Sequence, residues 1–439
     1  MLWSPANTSY YDLIVSGRAI ATPRPAAVLL QEPRRRLLVM VLATGLAGGL
    51  VGATYLALLE VVEGVLGPES WAPGAHVLVL VGVGGVVALA TRLLGRPADV
   101  ELLVDNIHVL GGADEVRSLG SLIPVSLLCI GAGGALGPEA PLVTTTGTLG
   151  SWVGRRSRLG RDDRRIVSIA GMAAGFTVLF GAPLGSAIFA LEILHRRGLE
   201  YYEAILPSVF GALCGYGVYT AATGLGLEPI FDFPTSVPLT VADLGWGVAA
   251  GVGGAAVAVA FTYLCAGLRL ACKPVPEAVR PVLGGLALVV LALVSPFALT
   301  NGEAQITALA TSHVAVATLL GAAAVKLVAS AVSLITGWKG GFIIPLFFVG
   351  FCLARAAAGH TPGGDEWILA AGLMAACNVG VTKTPIGSTL VVTEMAGMGV
   401  LPPTLIAAVV SMALTSSVGL IDTQRRRLDG SSSEEETDG

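Results

Sequence analysis

Among the few carboxylates set between apolar stretches of this sequence, Glu139 stands out, held between two prolines in Gly137-Pro138-Glu139-Ala140-Pro141. Proline suits the first turn of a helix, where its missing N–H would have had no intrahelical partner. The segment therefore predicts a helix starting at Glu139. The N–H groups free at such a start, with the positive end of the helix dipole, make an anion site. A carboxylate placed there either occupies the site itself or takes a proton and swings away to admit a free anion. The bland alternative is a capping glutamate at an outer surface. Against it stands the cost of an ionisable group deep in a membrane helix, about 2.5–3.5 kcal/mol, which marks such a group as functional.

A second segment has the same character. Gly340-Gly341 leads into Phe342-Ile343-Ile344-Pro345, a flexible entry to another helix whose backbone amides are expected to face the same site. The alternative is close packing between helices, which small residues serve in any membrane bundle. The two segments belong to a repeat. Residues 170–192 begin Ala170-Gly171 and close with Pro183-Leu184-Gly185-Ser186 and Glu192; residues 371–394 begin Ala371-Gly372 and close with Pro385-Ile386-Gly387-Ser388 and Glu394. In both copies the glutamate lies nine residues after the proline. Pro141 precedes Pro183 by 42 residues and Pro345 precedes Pro385 by 40. Matched Gly/Pro-interrupted segments in two halves point to a transporter binding site. The helices starting near Glu139 and Phe342 are thus expected to aim their N-termini at one point.

Other charges are open to two readings. Glu192 and Glu394 occupy corresponding positions near a helix end, as accessory groups or as interfacial ones. Lys339 and Lys383 stand beside the breaks of the second half, either raising the local anion potential or snorkelling to the interface. Asp99, in Gly95-Arg96-Pro97-Ala98-Asp99, is a further accessory candidate. The histidines are scattered without metal-ligand spacing, there is no H-E-x-x-H motif or serine-hydrolase elbow, and the six cysteines form no C-x-x-C pair. No metal site, cofactor or disulfide framework is expected.

Lipid is the solvent that must position these residues. Hydrophobic residues make up 54% of the 439, and charged ones 13%, about half the share usual in soluble domains. A net charge of −4 argues against nucleic acid as a partner. Apolar stretches lie near 37–60, 76–95, 121–136, 141–154, 166–180, 183–194, 203–224, 241–270, 281–299, 313–336, 341–359, 366–380, 385–398 and 402–420. Several fall short of the roughly 17–25 residues of a full crossing. Broken segments survive in lipid only where their freed backbone is buried in protein or lines a cavity. The first 33 residues lack the apolar core of a signal peptide, and Arg34-Arg35-Arg36 precede the first long apolar run. By the positive-inside rule the N-terminus is cytoplasmic, as are the connection carrying Arg155, Arg156, Arg158, Arg161, Arg164 and Arg165, the His195-Arg196-Arg197 segment, and Arg425-Arg426-Arg427.

These motifs resemble the CLC chloride channel and proton-coupled anion transporter family. Gly137-Pro138-Glu139-Ala140-Pro141 is similar to the family's G-[RK]-E-G-P, whose glutamate is the external gate and proton carrier; Gly341-Phe342-Ile343-Ile344-Pro345 is similar to its G-x-F-x-P, whose amides bind the anion. Gly181-Ala182-Pro183-Leu184-Gly185, with Phe189 and Glu192, resembles its helix pair at the dimer side. The resemblance spans roughly 37–420. It implies Gly137, Pro138, Ala140, Gly341, Phe342, Ile343 and Ile344 as the anion-binding residues, with Glu139 as gate. There are departures. Where the family's G-S-G-I-P serine touches the central anion, this chain has 95–99 without serine; its internal proton glutamate falls on Ile193; its late tyrosine has no counterpart near Ile421 to Arg427. Ile343 stands for the phenylalanine, Pro138 for the cation and Ala140 for the second glycine, as in a divergent bacterial-type member. No counterpart of the long cytoplasmic nucleotide-binding tail of many eukaryotic relatives is expected.

The expected protein is an all-α integral membrane, inverted-repeat CLC-like domain with broken and re-entrant helices. Residues 1–36 form a cytoplasmic N-terminal segment, 37–420 the membrane domain with halves about 37–225 and 241–420, and 421–439 a cytoplasmic acidic tail. It sits in the cell membrane, multi-pass, as a homodimer, with a small anion (chloride foremost) and protons as its partners beside membrane lipid. The expected function is anion/proton antiport. Rival readings are a passive anion channel, a fluoride-selective exchanger, a membrane structural protein and an intramembrane enzyme, the last lacking a convergent nucleophile–base or metal set. Ser157→Cys, in the six-arginine connection, is expected to resist an impermeant thiol reagent added outside intact cells; strong external labelling would overturn the orientation.

Overall fold

The computed structural model describes residues 32–95, 97–98, 100–112, 118–195, 201–224, 230–231, 233, 239–358, 365–421 and 424. Asp99, Arg196, Arg197 and Arg425 to Arg427 lie outside them, as do residues 1–31 and most of the expected acidic tail. The chain divides into two units, Met1–Val39 and Met40–Gly439. The described part of the first is the start of α1 (Glu32–Leu66), and every later element belongs to the second.

In chain order α1 is followed by α2 (Pro73–Leu94), α3 (Val100–Leu110), α4 (Leu119–Gly131), α5 (Glu139–Arg156), α6 (Arg161–Phe180), α7 (Pro183–Glu192) and α8 (Ile205–Thr223). The second half runs α9 (Val241–Ala271), α10 (Arg280–Val294), α11 (Glu303–Ala310), α12 (Val316–Ile335), α13 (Ile343–Ala357), α14 (Glu366–Thr382), α15 (Pro385–Ala396) and α16 (Leu401–Thr415). Two of these carry no long apolar run and were not foreseen. In α3 the charges of Glu101 and Asp105 interrupt the pattern, and only Leu103, Val104, Ile107 and His108 are buried. In α11 eight residues make barely two turns.

Among the described residues, six helices are long and apolar enough to cross a membrane, and they begin at Arg34, Gly74, Tyr202, Val241, Val316 and Met398. The 31 residues of α9 extend about 46 Å, well past the ~30 Å hydrocarbon thickness, so α9 tilts or projects. Its start is fixed by a capping box in which Thr240 and Asp243 satisfy each other's backbone N–H groups. By contrast every residue from Ile166 to Phe180 in α6, and from Ile368 to Thr382 in α14, is buried. Helices apolar on all sides belong in a core. Here that core is a pair of hairpins, α6–α7 and α14–α15, the two copies of the repeat.

The copies cap one another. α7 packs against α15, and the carboxylate of Glu192 at the end of α7 accepts from Ile386 N (3.2 Å) and Gly387 N (2.7 Å) at the start of α15. Reciprocally, Glu394 in α15 accepts from Leu184 N (3.2 Å) and Gly185 N (2.7 Å) at the start of α7. Each glutamate thus satisfies helix-start donors that lipid would leave bare.

Each hairpin turns through one left-handed residue, Gly181 (φ 59°) in the first and Lys383 (φ 63°) in the second. Glycine takes that conformation freely, whereas lysine is there under strain. Its ammonium compensates, donating to Gly380 O (2.6 Å), Thr415 O (2.6 Å) and Thr415 Oγ1 (2.9 Å), which ties the end of α14 to the end of α16. Lys383→Met would keep the strain and orphan these acceptors. We expect about 2–3 kcal/mol of lost stability, read as a lower thermal midpoint of the detergent-solubilised protein; an unshifted midpoint would contradict this role.

Candidate functional site

The starts of α5 and α13 meet. Both begin just after a glycine-led extended segment, and these two segments pair: Gly137 N donates to Gly341 O (2.8 Å) and Gly341 N to Gly137 O (2.6 Å), an isolated antiparallel bridge between the halves. Pro141 and Pro345 each occupy the third position of their helix, where no intrahelical donor is lost. A Cβ on Gly137 or Gly341 would meet the Glu139 carboxylate, so a side chain at either glycine would push the carboxylate from this position. The expectation of two N-termini aimed at one point is met, and the carboxylate lies at that point.

Glu139 is 1% exposed. Its Oε1 accepts from Ile344 N at 2.6 Å, at the N-terminus of α13, a charge-assisted contact in the range of the strong ones. Its Oε2 is buried without a hydrogen-bond partner among the described residues. The carboxylate thus stands at the start of α13 with one oxygen engaged and the other idle.

Cavities flank this point. One, of about 390 Å³, is lined by Glu139, Ala140, Gly341, Phe342 and Ile343 together with Lys339, Arg269, Arg280 and Glu101. From the segments where serine and tyrosine were missed, the described Ala98 and Ile421 line its wall, as do Leu420 and Ile193. The other cavity, about 440 Å³, is lined by Pro138, Asn301, Tyr216, Tyr219 and three carboxylates, Glu60, Glu63 and Glu303. Gly137-Pro138-Glu139 therefore forms the partition, Pro138 facing one cavity and Glu139 the other. Gly181 lines the second cavity and sits at the far end of α6 from the six-arginine connection, so that cavity lies near the opposite end of α6.

The sequence-predicted residues divide. Glu139, Pro138, Ala140, Gly341, Phe342, Ile343 and Lys339 line the cavities, and Gly137 and Ile344 close the partition behind them. The Phe342 ring packs on Phe261 (5.8 Å), so its place at the site is through backbone and wall. Glu192 and Lys383 are held in the caps described above, and Asp99 is outside the described residues.

Sequence reading missed Arg269, Arg280, Glu101, Glu60, Glu63 and Glu303, which sit at or near helix ends and carry no motif. It also missed Lys326, fully buried in α12, whose Nζ donates to Leu299 O (2.6 Å) and Thr300 O (2.8 Å) and lies 5.0 Å from the centre of the Phe348 ring. With Thr300 N on Gly133 O (2.9 Å), that lysine pins the turn that presents Asn301 and Glu303 to the second cavity. An uninterrupted apolar helix with one lysine was the available signal.

Comparison with known proteins fits this geometry. Residues 105–416 match the family model described as voltage gated chloride channel. A chloride/fluoride channel protein of Pseudomonas syringae pv. tomato is 31% identical over 362 residues, covering 78% of this chain and 76% of that one. The chain belongs to the voltage-gated chloride channel (CLC) family. A voltage-gated ClC-type chloride channel of Citrobacter koseri is 28% identical over 319 residues, 70% of this chain and 74% of that one. Among solved structures, a CLC-type fluoride/proton antiporter superposes with a TM-score of 0.78 at 23% identity, covering 90% of this chain and 99% of that one. A slow cyanobacterial Cl-/H+ antiporter gives 0.77 at 19%, covering 87% and 94%. The fold is that of CLC transporters, and membership makes this a CLC-type anion transport protein and not an enzyme.

The two cavities of this CLC protein differ in charge: among the described residues Arg269, Arg280 and Lys339 line the first beside Glu101 and Glu139, and the charges lining the second are all acidic. A cation near a pathway raises the local anion concentration, and salt screens it within about 10 Å at 0.1 M and 3 Å at 1 M. Arg269→Gln is expected to lower anion flux about two- to threefold at low ionic strength, with the difference vanishing near 1 M salt. Equal fluxes at low salt would remove Arg269 from the pathway's field.

Proposed function

We propose that this CLC protein exchanges a small anion for protons, with the Glu139 carboxylate as the gate that both must use. One observation carries the reading: the carboxylate accepts the Ile344 N–H at 2.6 Å and so fills the anion position at the start of α13. A free anion competes for the same donor and cannot enter while the side chain is charged and in place. A proton on the idle Oε2 removes the charge without breaking a hydrogen bond, and the neutral acid has less reason to hold a positive helix end. Anion entry and protonation are thereby linked at one group.

The surroundings support the two directions. Arg269, Arg280 and Lys339 favour anions in the first cavity, which we assign to the cytoplasmic side together with the arginine connection and both termini. Glu60, Glu63 and Glu303 in the second cavity disfavour anions and suit protons, which marks it as the external approach. Gly137, Pro138, Ala140, Gly341, Phe342, Ile343 and Ile344 form the anion site around the gate, with Lys339 as an accessory. Chloride is the anion we assign first; the relatives named above include both chloride and fluoride proteins. A homodimer in the cell membrane, with one pathway per subunit, completes the proposal.

A passive channel is the competing reading, since the alkyl side chain of Ile193 stands in the cavity wall where a proton-carrying group would serve an exchanger. Glu139→Gln separates the two. Glutamine keeps volume and most hydrogen bonds but neither releases a proton nor carries the competing charge. In reconstituted vesicles, with anion efflux and proton uptake recorded together, the variant of an antiporter is expected to lose proton movement. In a channel, anion flux persists and becomes insensitive to external pH, with no proton movement in the wild type either. Unaltered fluxes of both ions in folded variant would take Glu139 out of the mechanism.

A further inference from the structure

An exchanger needs a titratable route to its gate from each side. On the arginine-lined side the cavity wall at the end of α7 is Ile193, which cannot carry a proton. Immediately beyond it the structure gathers three groups that can. His108 in α3 and His195 after α7 are 1% and 2% exposed, their rings edge to face with centroids 5.1 Å apart. Tyr201 completes the group, its ring 5.0 Å from that of His195 and its hydroxyl 2.7 Å from His108 Nδ1.

The partners fix the direction of each hydrogen bond. His108 Nε2 faces Leu194 O at 2.7 Å, and a carbonyl only accepts, so Nε2 carries the hydrogen. In the neutral ring Nδ1 then accepts from the Tyr201 hydroxyl. A proton arriving at Nδ1 makes it a donor, and the hydroxyl turns to accept, with no heavy atom displaced. The charges facing the group from packed elements are cationic at close range: Arg161 donates to His108 O at 2.7 Å, and Arg165 lies 4.5 Å over the Tyr201 ring while pairing with Asp162 at 3.0 Å. On α3 itself Asp105 is exposed; on α7 Glu192 is held by the start of α15; and Glu203 beside Tyr201 is exposed. Glu101, seven residues before His108 and so about two turns along the same face of α3, lines the cavity that holds Glu139.

We propose that His108, Tyr201 and His195 load hydrogen ions from the arginine-lined side into the pathway, with Glu101 as the next group toward Glu139. The inference rests on the antiport reading. The rival is a structural cluster that fastens α3 to α6 and α7.

The test reconstitutes wild type, Tyr201→Phe, His108→Gln and the His108→Gln/His195→Gln pair, and records anion efflux and proton uptake in the same vesicles between about pH 5 and 8. Tyr201→Phe keeps the ring beneath Arg165, so it decides should the histidine variants fail to fold. Proton uptake is expected to fall by about tenfold or more while anion flux stays near wild type, which lowers the coupling ratio and flattens its dependence on pH. An unchanged ratio and pH profile in folded variants overturns the inference and leaves antiport standing, provided the wild type takes up protons. A parallel loss of both fluxes assigns the cluster to structure and also overturns it. Wild type that passes anions with no proton uptake overturns both readings.

Discussion

Backbone N–H groups at the start of a helix have no intrahelical partner, and inside a bilayer they have no water either. In this protein the starts of α5 and α13 lie in the buried partition between two cavities, and much of the architecture follows from satisfying them. The Gly137–Gly341 bridge joins the extended segments that lead in, so their own N–H and C=O groups are paired. The Glu139 carboxylate answers Ile344. The donors at the start of α13 are therefore met by a carboxylate from the opposite half.

The same constraint recurs at the repeat hairpins with a different outcome. There the helix starts are capped by Glu192 and Glu394 from the opposite half, each making two contacts with the backbone. These caps leave nothing to compete with, because both carboxylate oxygens are engaged. At Glu139 one oxygen is idle, and the side chain borders a cavity. Two arrangements of a carboxylate at a helix start, one with both oxygens bonded and one with an oxygen left over, thus arise from one chemical rule.

The lysines show a parallel division. Lys326 and Lys383 are buried and bind carbonyls at turns, where they hold the backbone in shape. Lys339 shares a cavity with Arg269 and Arg280. A basic residue beside a Gly/Pro break reads identically in sequence whichever way its stem bends, and the flexible four-carbon stem of lysine reaches a carbonyl or a cavity equally well.

What local chemistry dictates was legible in the order of residues. Long apolar runs meant membrane helices, Gly/Pro breaks placed the starts of α5 and α13, and the duplicated Pro-x-Gly-Ser segments gave the paired hairpins. It also singled out Glu139 by the cost of a charge in lipid. Tertiary structure decided everything that depends on partners far along the chain. Glu192 lies 195 residues from the Gly387 amide it caps, and Glu139 lies 205 from Ile344. Arg269, Glu63 and Glu303 became cavity residues only because helices from distant parts of the sequence converge there. The amphipathic α3 escaped notice because its polar face broke the apolar pattern, and with it went His108, whose significance exists only beside Tyr201 and His195. Periodicity and turn residues act within a few residues of themselves and so can be read in order; a cavity's charge and a carboxylate's free oxygen are sums over neighbours that only the folded chain assembles.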